Sequence, residues 1–321
     1  MTTTSAPPRS AAGAPVRTGA PARRSGVPPG LRTALLLAPA LVVVGGLFLG
    51  GLVLGVLQSL GYQPYLGSSG LTLAAYRGLL TDVEVRASLL LTFRLALLAT
   101  VLSSVLGVAA ALMLRRTGRG RRLATALFQA NLPVPHLVGA AAMLLLLGQS
   151  GLLSRVLFAF GLVDAPAQAP ALTGDAFGWA ILAEYVWKET PFIGVVVLAA
   201  LSGGVAELES AARTLGAGAW QRFRFVTLPL ITPAVLTTSI IVFAFSFGSY
   251  EVPLLLGQPF PATLPVVAYQ AYADTDLASR PRAMAIAVLI AVLVTLVVLV
   301  YSVLVERVLR PADRRRQGLP R

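Results

Sequence analysis

The sequence is poor in the residues that enzymes use for covalent and metal chemistry. It has no cysteine and one histidine, His136, which excludes disulfides, thiolate nucleophiles and histidine metal clusters. Lysine occurs once, at Lys188, and Glu189 follows it. A phosphate-binding P-loop needs lysine after glycine and before serine or threonine, so this chain has no such ATP site. We predict no metal and no bound cofactor for it.

Charge of either sign is also scarce. Only 12% of the 321 residues are charged and 56% are hydrophobic, with a mean hydropathy of +0.78. Apolar runs of about 20 residues can cross a bilayer core, where only structures with internally paired backbone groups, such as helices, are stable. The sequence therefore predicts an all-α membrane protein with six transmembrane helices, at Leu35–Leu57, Leu89–Leu114, Leu123–Leu147, Gly178–Leu201, Ala234–Leu256 and Ala283–Val305.

The net charge of +13 comes from 26 basic and 13 acidic residues. The arginines are concentrated before the first span, in the loop after the second, after the fourth, and behind the sixth. This alternation follows the positive-inside rule. It predicts a multi-pass protein with both termini and segment 202–232 in the cytoplasm. The basic excess is thus interpreted as an orientation signal, and no nucleic-acid partner is predicted.

The composition divides the chain into four parts. Residues 1–32 are rich in alanine, proline and arginine without an acid, which predicts a disordered cytoplasmic segment. Residues 33–60 hold the first helix. Residues 70–305 hold five further helices, and 306–321 form a basic cytoplasmic tail.

A polar segment, residues 205–229, separates the fourth and fifth apolar runs and is termed here the polar hairpin. Its first half predicts a short helix that presents Ala211 and Ala212, and Gly216 and Gly218 allow a sharp turn. In its second half, Trp220, Phe223 and Thr227 fall on one side of a helix. Arg222 and Arg224 fall on the other side. Two interpretations stay open, docking into a groove of another protein and anchoring among lipid headgroups.

Charged residues inside the predicted spans are costly and mark functional or paired positions. Lys188 and Glu189 lie in the fourth span, and Glu184 is one turn before Lys188, which allows a neutralised pair. Glu251 lies in the fifth span and is a candidate for solute contact or for pairing with Lys188. The candidate translocation-path residues are Lys188, Glu189, Gly248, Tyr250 and Glu251.

The polar hairpin resembles the "EAA" loop of permease subunits of binding-protein-dependent ABC importers. Ala211-Ala212, Gly216 and Leu228-Pro229 have the spacing of that loop. At the position of the usual glutamate this chain has Ser210, and the acid is at Glu209, so the acid's contact is either lost or taken over by Glu209. The resemblance implies an ATPase-coupling loop made of Glu209, Ser210, Ala211, Ala212, Gly216, Leu228 and Pro229.

The resemblance also implies a type I importer permease fold with a five-helix core in 70–305, in a bacterial inner membrane. The subunit itself would not be an enzyme. Its implied partners are ABC ATPase subunits that bind ATP, a second permease that is a homologue or a copy, and an extracytoplasmic solute-binding protein. Segments 187–192 and 247–257, and also 132–151 and 74–76, look most like spermidine/putrescine permeases. Importers of iron, thiamine, sulfate or another small solute share the pattern.

Two other classes remain as alternatives. An ion-coupled secondary transporter would use Glu251 and Lys188/Glu189 as a relay, but it would need internal repeats, and the sequence shows no convincing repeat. A membrane-embedded enzyme would need clustered catalytic groups inside the spans, and only Glu184, Lys188, Glu189 and Glu251 qualify.

Overall fold

The computed structural model describes residues 29–67, 69–118 and 120–317. The part of the chain up to Leu52 forms one unit, and the part from Val53 forms the other. The α-helices are α1 (Pro29–Ser59), α2 (Ala74–Thr81), α3 (Val83–Arg116), α4 (Arg121–Gln129), α5 (His136–Leu147), α6 (Leu152–Ala159), α7 (Trp179–Leu201), α8 (Val205–Thr214), α9 (Ala219–Arg222), α10 (Leu228–Gly248), α11 (Glu251–Leu256), α12 (Leu264–Ala273) and α13 (Arg280–Gln317).

The two predicted terminal segments fall largely outside the described residues. Of the predicted disordered segment 1–32, only 29–32 are described, and they form the first turn of α1. Of the predicted tail 306–321, residues 306–317 continue α13 as helix. The remaining residues of both segments are not described.

Five helical stretches are long and apolar enough to span a membrane, and a sixth is obtained if the pair α7 and α8, bent by 59°, counts as one span. The five are Gly30–Ser59, Val83–Arg116, His136–Ala159, Ala219–Gly248 and Leu277–Arg307. The predicted all-α class with six transmembrane helices is confirmed in this form.

The third span differs from its predicted range, Leu123–Leu147. The helix stops after α4, and the chain resumes as α5 at His136. Pro133 and Pro135 lie in the break, where proline cannot donate to a helical ladder and restricts the residue before it. The span-length stretch is instead His136–Ala159, formed by α5 and α6.

The fifth span begins earlier than the predicted Ala234 and ends earlier than Leu256. A π-helical turn, Phe223–Thr227, joins α9 directly to α10. Pro229 lacks an N–H, and its ring would crowd the carbonyl four residues before it, which a wider turn relieves. The second half of the polar hairpin therefore continues directly into the helix of the fifth span and is not a separate amphipathic helix.

The core is formed mainly by α3 and α7, which pack along each other. At Gly107 of α3 an added Cβ would lie 3.0 Å from Ile193 Cβ and from the carbonyl of Thr190, so glycine permits this close approach. On one side Leu95, Ile181 and Tyr185 are buried together. This packing places the middle of α7 next to the α4–α5 connection.

Candidate functional site

The turn of the polar hairpin forms where it is predicted. Gly216 has φ +84°, in the left-handed region. The N–H of Gly216 donates to the carbonyl of Arg213, and that of Ala217 donates to Ala212, each at 3.0 Å. These bonds close the end of α8 as in other glycine-terminated helices. Gly218 has φ −66° and does not need to be glycine for its backbone.

The polar hairpin exposes large apolar side chains. Leu215 is 88% exposed and Trp220 is 70% exposed. Trp220 contacts Phe223 with ring centroids 5.5 Å apart, as their spacing predicts. Thr227, predicted on the same side, is buried. The polar hairpin thus presents accessible apolar side chains at Leu215, which the sequence reasoning did not single out, and at Trp220.

The two arginines of the hairpin behave differently. Arg224 is exposed, as predicted. Arg222 is half-buried, and its Nη1 donates to the carbonyl of Ala217 at 2.6 Å. Because this bond crosses the turn, Arg222 fixes α9 against the residues after α8.

The remaining predicted coupling-loop residues lie on the hairpin surface or at its base. Ser210 is exposed, and its hydroxyl donates to the carbonyl of Ala206 at 2.9 Å. Ala211 and Pro229 are exposed, whereas Ala212 and Leu228 are half-buried.

Glu209 is turned toward the spans rather than outward. Nη2 of Arg115, at the end of α3, donates to both Glu209 carboxylate oxygens, at 2.7 and 2.9 Å. The hydroxyl of Thr227 donates to the same carboxylate. Because charge-assisted hydrogen bonds are stronger than neutral ones, Glu209 ties α8 to α3 and to the start of the fifth span.

The protonation of Glu209 is set by this environment. Burial raises the pKa of Glu209, but the hydrogen bonds from Thr227 and Arg115 and the positive charges of Arg115 and Arg222 outweigh burial. Its pKa therefore lies below its ordinary value of 4.5. The carboxylate is ionised at neutral pH and its bond to Arg115 is an ion pair.

Two clefts lie beside this ion pair, and both are lined by Arg115 and Glu209. The first, of about 460 Å³, also contacts Met113, Trp220 and Phe223. The second, of about 570 Å³, has four arginines among its eleven lining residues. The ion pair therefore bridges a gap between the hairpin and the end of α3 that other side chains leave partly open.

Lys188 is buried and does not pair with Glu184 or Glu251 among the described residues. Its Nζ donates to three backbone carbonyls of the α4–α5 connection, those of Asn131 at 2.7 Å, Leu132 at 3.3 Å and Val134 at 2.6 Å. The predicted pairs of Lys188 with Glu184 and with Glu251 are therefore wrong. The break at the two prolines leaves the carbonyls of Leu132 and Val134 without a helical donor, and the ammonium group of Lys188 donates to them instead. The carbonyl of Asn131 also accepts from the N–H of Val134 at 3.1 Å.

The acids of α7 lie beside His136 instead. Nδ1 of His136 is 3.1 Å from Oε1 of Glu184, and its Nε2 is 3.6 Å from Oε1 of Glu189. Glu184 and Glu189 are both buried. Together with Lys188 these groups form a polar cluster that joins α5 to α7 inside the bundle.

The other predicted path residues lie at a helix break. α10 ends at Gly248 and α11 begins at Glu251. Gly248 and Glu251 are exposed, and Tyr250 is 38% exposed. The Tyr250 ring stacks on Tyr269 of α12 with centroids 5.0 Å apart. Glu251 makes no ion pair within the described part of the chain, in contrast to Lys188 and Glu189, which are both in contact with the protein's own groups.

Three contributors escape the sequence reasoning. Arg115 looks like one of several loop arginines, Thr227 like part of an apolar face, and Tyr269 like an ordinary core aromatic. Their partners are 94, 18 and 19 residues away in the sequence. No local pattern marks such pairs, although the displaced acid at Glu209 is a signal that its contact differs.

Comparison with known proteins identifies the family. The model of the "Binding-protein-dependent transport system inner membrane component" matches residues 103–310. The chain belongs to this family. It is an inner-membrane permease of the ABC importers, and the predicted type I importer permease fold is confirmed.

Relatives and solved structures agree with this assignment. The permease is 33% identical over 226 residues to the molybdenum transport system permease protein ModB of Mycobacterium tuberculosis, covering 69% of this chain and 80% of the relative. It is 31% identical over 198 residues to ModB of Escherichia coli K12, covering 60% and 81%. A bacterial alginate ABC transporter solved with its alginate-bound periplasmic protein matches in fold, with a TM-score of 0.72, 19% identity and coverage of 87% and 97%. These findings do not support the predicted polyamine branch.

Proposed function

We propose that this permease forms half of a solute path and is driven by separate ATPase subunits that dock on the polar hairpin. One observation carries the proposal: the hairpin exposes Leu215 and Trp220 while Glu209 holds it to α3 and the fifth span. An exposed apolar surface on a firmly held element fits a groove on a partner. Anchoring in headgroups alone would not require the two hydrogen bonds by which Arg115 of α3 holds Glu209.

The proposed assembly contains two ATPase subunits, a second permease that is a homologue or a copy, and an extracytoplasmic solute-binding protein. ATP binds to the ATPase subunits in this proposal. The hairpin and both termini lie in the cytoplasm, as the distribution of arginines indicates. ATP-driven closure moves the hairpins, and the spans alternate between outward-open and inward-open arrangements.

The docking proposal is tested by replacing Leu215 with serine and measuring how tightly the ATPase copurifies. A buried apolar anchor at an interface is worth about 2 kcal/mol, or roughly thirtyfold in affinity. Leu71→Ser is the matched control, because Leu71 is also exposed and lies outside the hairpin. Equal ATPase affinity in Leu215→Ser and wild type would contradict docking through this face.

The proposed path runs along the helix break at Gly248, Tyr250 and Glu251. These residues are accessible within the single chain, and the break places Tyr250 outside regular helix, between Gly248 at the end of α10 and Glu251 at the start of α11. Irregular backbone at membrane depth is stable where it lines a cavity. A lining role for Lys188 and Glu189 stays a prediction; in this structure their side chains contact the protein, so in this conformation they support the α5–α7 junction.

For the solute we propose a small oxyanion of the molybdate type. The support is the similarity to two molybdenum permeases over 60% or more of this chain. The resemblance to polyamine permeases is weaker because it rests on separate short segments rather than on one continuous alignment.

A substitution at Glu251 tests whether the solute is an anion or a cation. Removing a carboxylate from the path lowers repulsion for an anion and removes attraction for a cation. We therefore expect Glu251→Gln to maintain or increase molybdate uptake in proteoliposomes with the partner subunits. Asp164→Asn is the control, since Asp164 is exposed in another loop. The oxyanion proposal would be overturned if the wild type takes up spermidine and Glu251→Gln does not.

A further inference from the structure

The second cleft beside the Glu209–Arg115 pair is lined by four arginines and is termed here the arginine cleft. They come from three segments: Arg115 and Arg116 from the end of α3, Arg121 from the start of α4, and Arg222 from α9. Two carboxylates, Glu207 and Glu209, share the lining. With four positive and two negative groups, the cleft has an excess of two positive charges.

The four arginines are not equally engaged. Arg115 is paired with Glu209, and Arg222 donates to the carbonyl of Ala217. The side chains of Arg116 and Arg121 make no hydrogen bond or ion pair with any residue in the described ranges, and both are exposed. Two guanidinium groups with open donors therefore border a cavity of about 570 Å³, which is large enough for a phosphate group and part of its substituents.

The position of the cleft indicates what kind of anion it meets. Leu198 and Leu201, from the last turns of α7, line it together with the arginines. Together with α8, α7 is long and apolar enough to count as one bent span, and the cleft lies at the end of α7 that the proposed topology places at the cytoplasmic surface. Arginine beside aliphatic side chains at this depth is the chemistry of a phospholipid headgroup site, because guanidinium groups bind phosphate oxygens in a fork.

From these observations we propose that the arginine cleft binds a phosphate group, supplied by an anionic phospholipid of the cytoplasmic leaflet, between α3, α4 and the polar hairpin. The inference rests on the cytoplasmic placement proposed above. A phosphate there neutralises the unpaired Arg116 and Arg121 and packs against the hairpin whose motion drives transport. Lipid composition then adjusts how firmly the hairpin is held.

The test uses full-length permease, extracted with its bound subunits and placed in nanodiscs. One set of nanodiscs contains only phosphatidylcholine, and another contains phosphatidylglycerol as well. Phosphatidylglycerol should raise the unfolding midpoint of the wild type by about 3 °C, the shift expected for roughly 1 kcal/mol of preferential binding to the folded state. Native mass spectrometry should detect anionic lipid retained on the chain.

The decisive variant is Arg116→Gln with Arg121→Gln. It should lose both the midpoint shift and the retained lipid. The matched control is Arg122→Gln with Arg307→Gln, which removes the same charge from exposed arginines outside the cleft. Equal loss in the two double variants would overturn the proposal, since the effect would then depend on total charge.

A second arm separates the sources of phosphate. Inorganic phosphate added to phosphatidylcholine nanodiscs shifts the midpoint only if a free anion occupies the cleft, which would assign the site to a soluble phosphate. If neither phosphatidylglycerol nor inorganic phosphate shifts the midpoint, the proposed site is overturned. If the double variant instead loses the ATPase without any anion response, the cleft is part of the protein interface and the lipid proposal fails. ATPase docking through Leu215 is measured separately with Leu215→Ser, and its outcome does not depend on the outcome of the lipid experiments.

Discussion

The ion pair between Glu209 and Arg115 should transmit motion of the polar hairpin to α3. The perturbation is charge reversal at each position, Arg115→Glu and Glu209→Arg, and then the two changes together. The side chains are 19% and 20% exposed and approach to 2.7 Å. Exposed pairs contribute about 0.2–1 kcal/mol, and removing one partner of a fully buried pair costs about 3–5 kcal/mol.

A pair with intermediate exposure is therefore expected to couple by about 1–2 kcal/mol, which is a factor of about 5–30 in an equilibrium constant. Each single reversal should reduce the solute transported per ATP hydrolysed by such a factor, in proteoliposomes that contain the partner subunits. The double reversal should recover most of the loss, because the pair is restored with opposite polarity.

The size of the effect should not depend on pH near neutrality. Because the pKa of Glu209 is depressed below 4.5, the contribution of the ion pair is present above the unfolded-state pKa and is lost only as pH falls through the lower folded-state pKa. The solute transported per ATP hydrolysed by Glu209→Gln, relative to wild type, should thus be the same at about pH 6 and about pH 8. Additive losses in the double reversal would refute the transmission argument, since independent sites do not compensate each other.

Three other outcomes are expected. Gly216→Ala and Gly216→Phe should both reduce ATPase stimulation, because φ +84° with open space around the Cβ position costs about 1–2 kcal/mol for any L-residue; wild-type stimulation in the alanine variant would contradict this. Gly107→Leu should lower the detergent unfolding midpoint, since a Cβ already lies 3.0 Å from Ile193, and Gly78→Leu, where nothing lies within 4 Å, is its control. Lys188→Met should lower the free energy of unfolding by about 2 kcal/mol, because the carbonyls of Leu132 and Val134 lose their donor; an unchanged unfolding midpoint would show that Lys188 does not support the α5–α7 junction.

Much of the site could be predicted from residues close together in the sequence. The turn at Gly216 and the Trp220–Phe223 contact follow from short spacings, because local backbone geometry determines which neighbours share a face. The same reasoning fails at Lys188. A partner four residues away is available at Glu184, but the prolines of the α4–α5 connection release carbonyls that bind the ammonium group instead. A charged group buried in a helical bundle binds the partners that packing brings close to it in space, and these need not be near it in sequence.

The sequence by itself determined the membrane class, the approximate number of spans and the position of the hairpin, because length and apolarity of a run are properties that each segment carries alone. Only the tertiary structure decided that Glu209 turns inward to Arg115 and that four arginines border one cleft. These contacts join residues far apart in the chain. They depend on how α3, α7 and the fifth span pack, which no local pattern specifies.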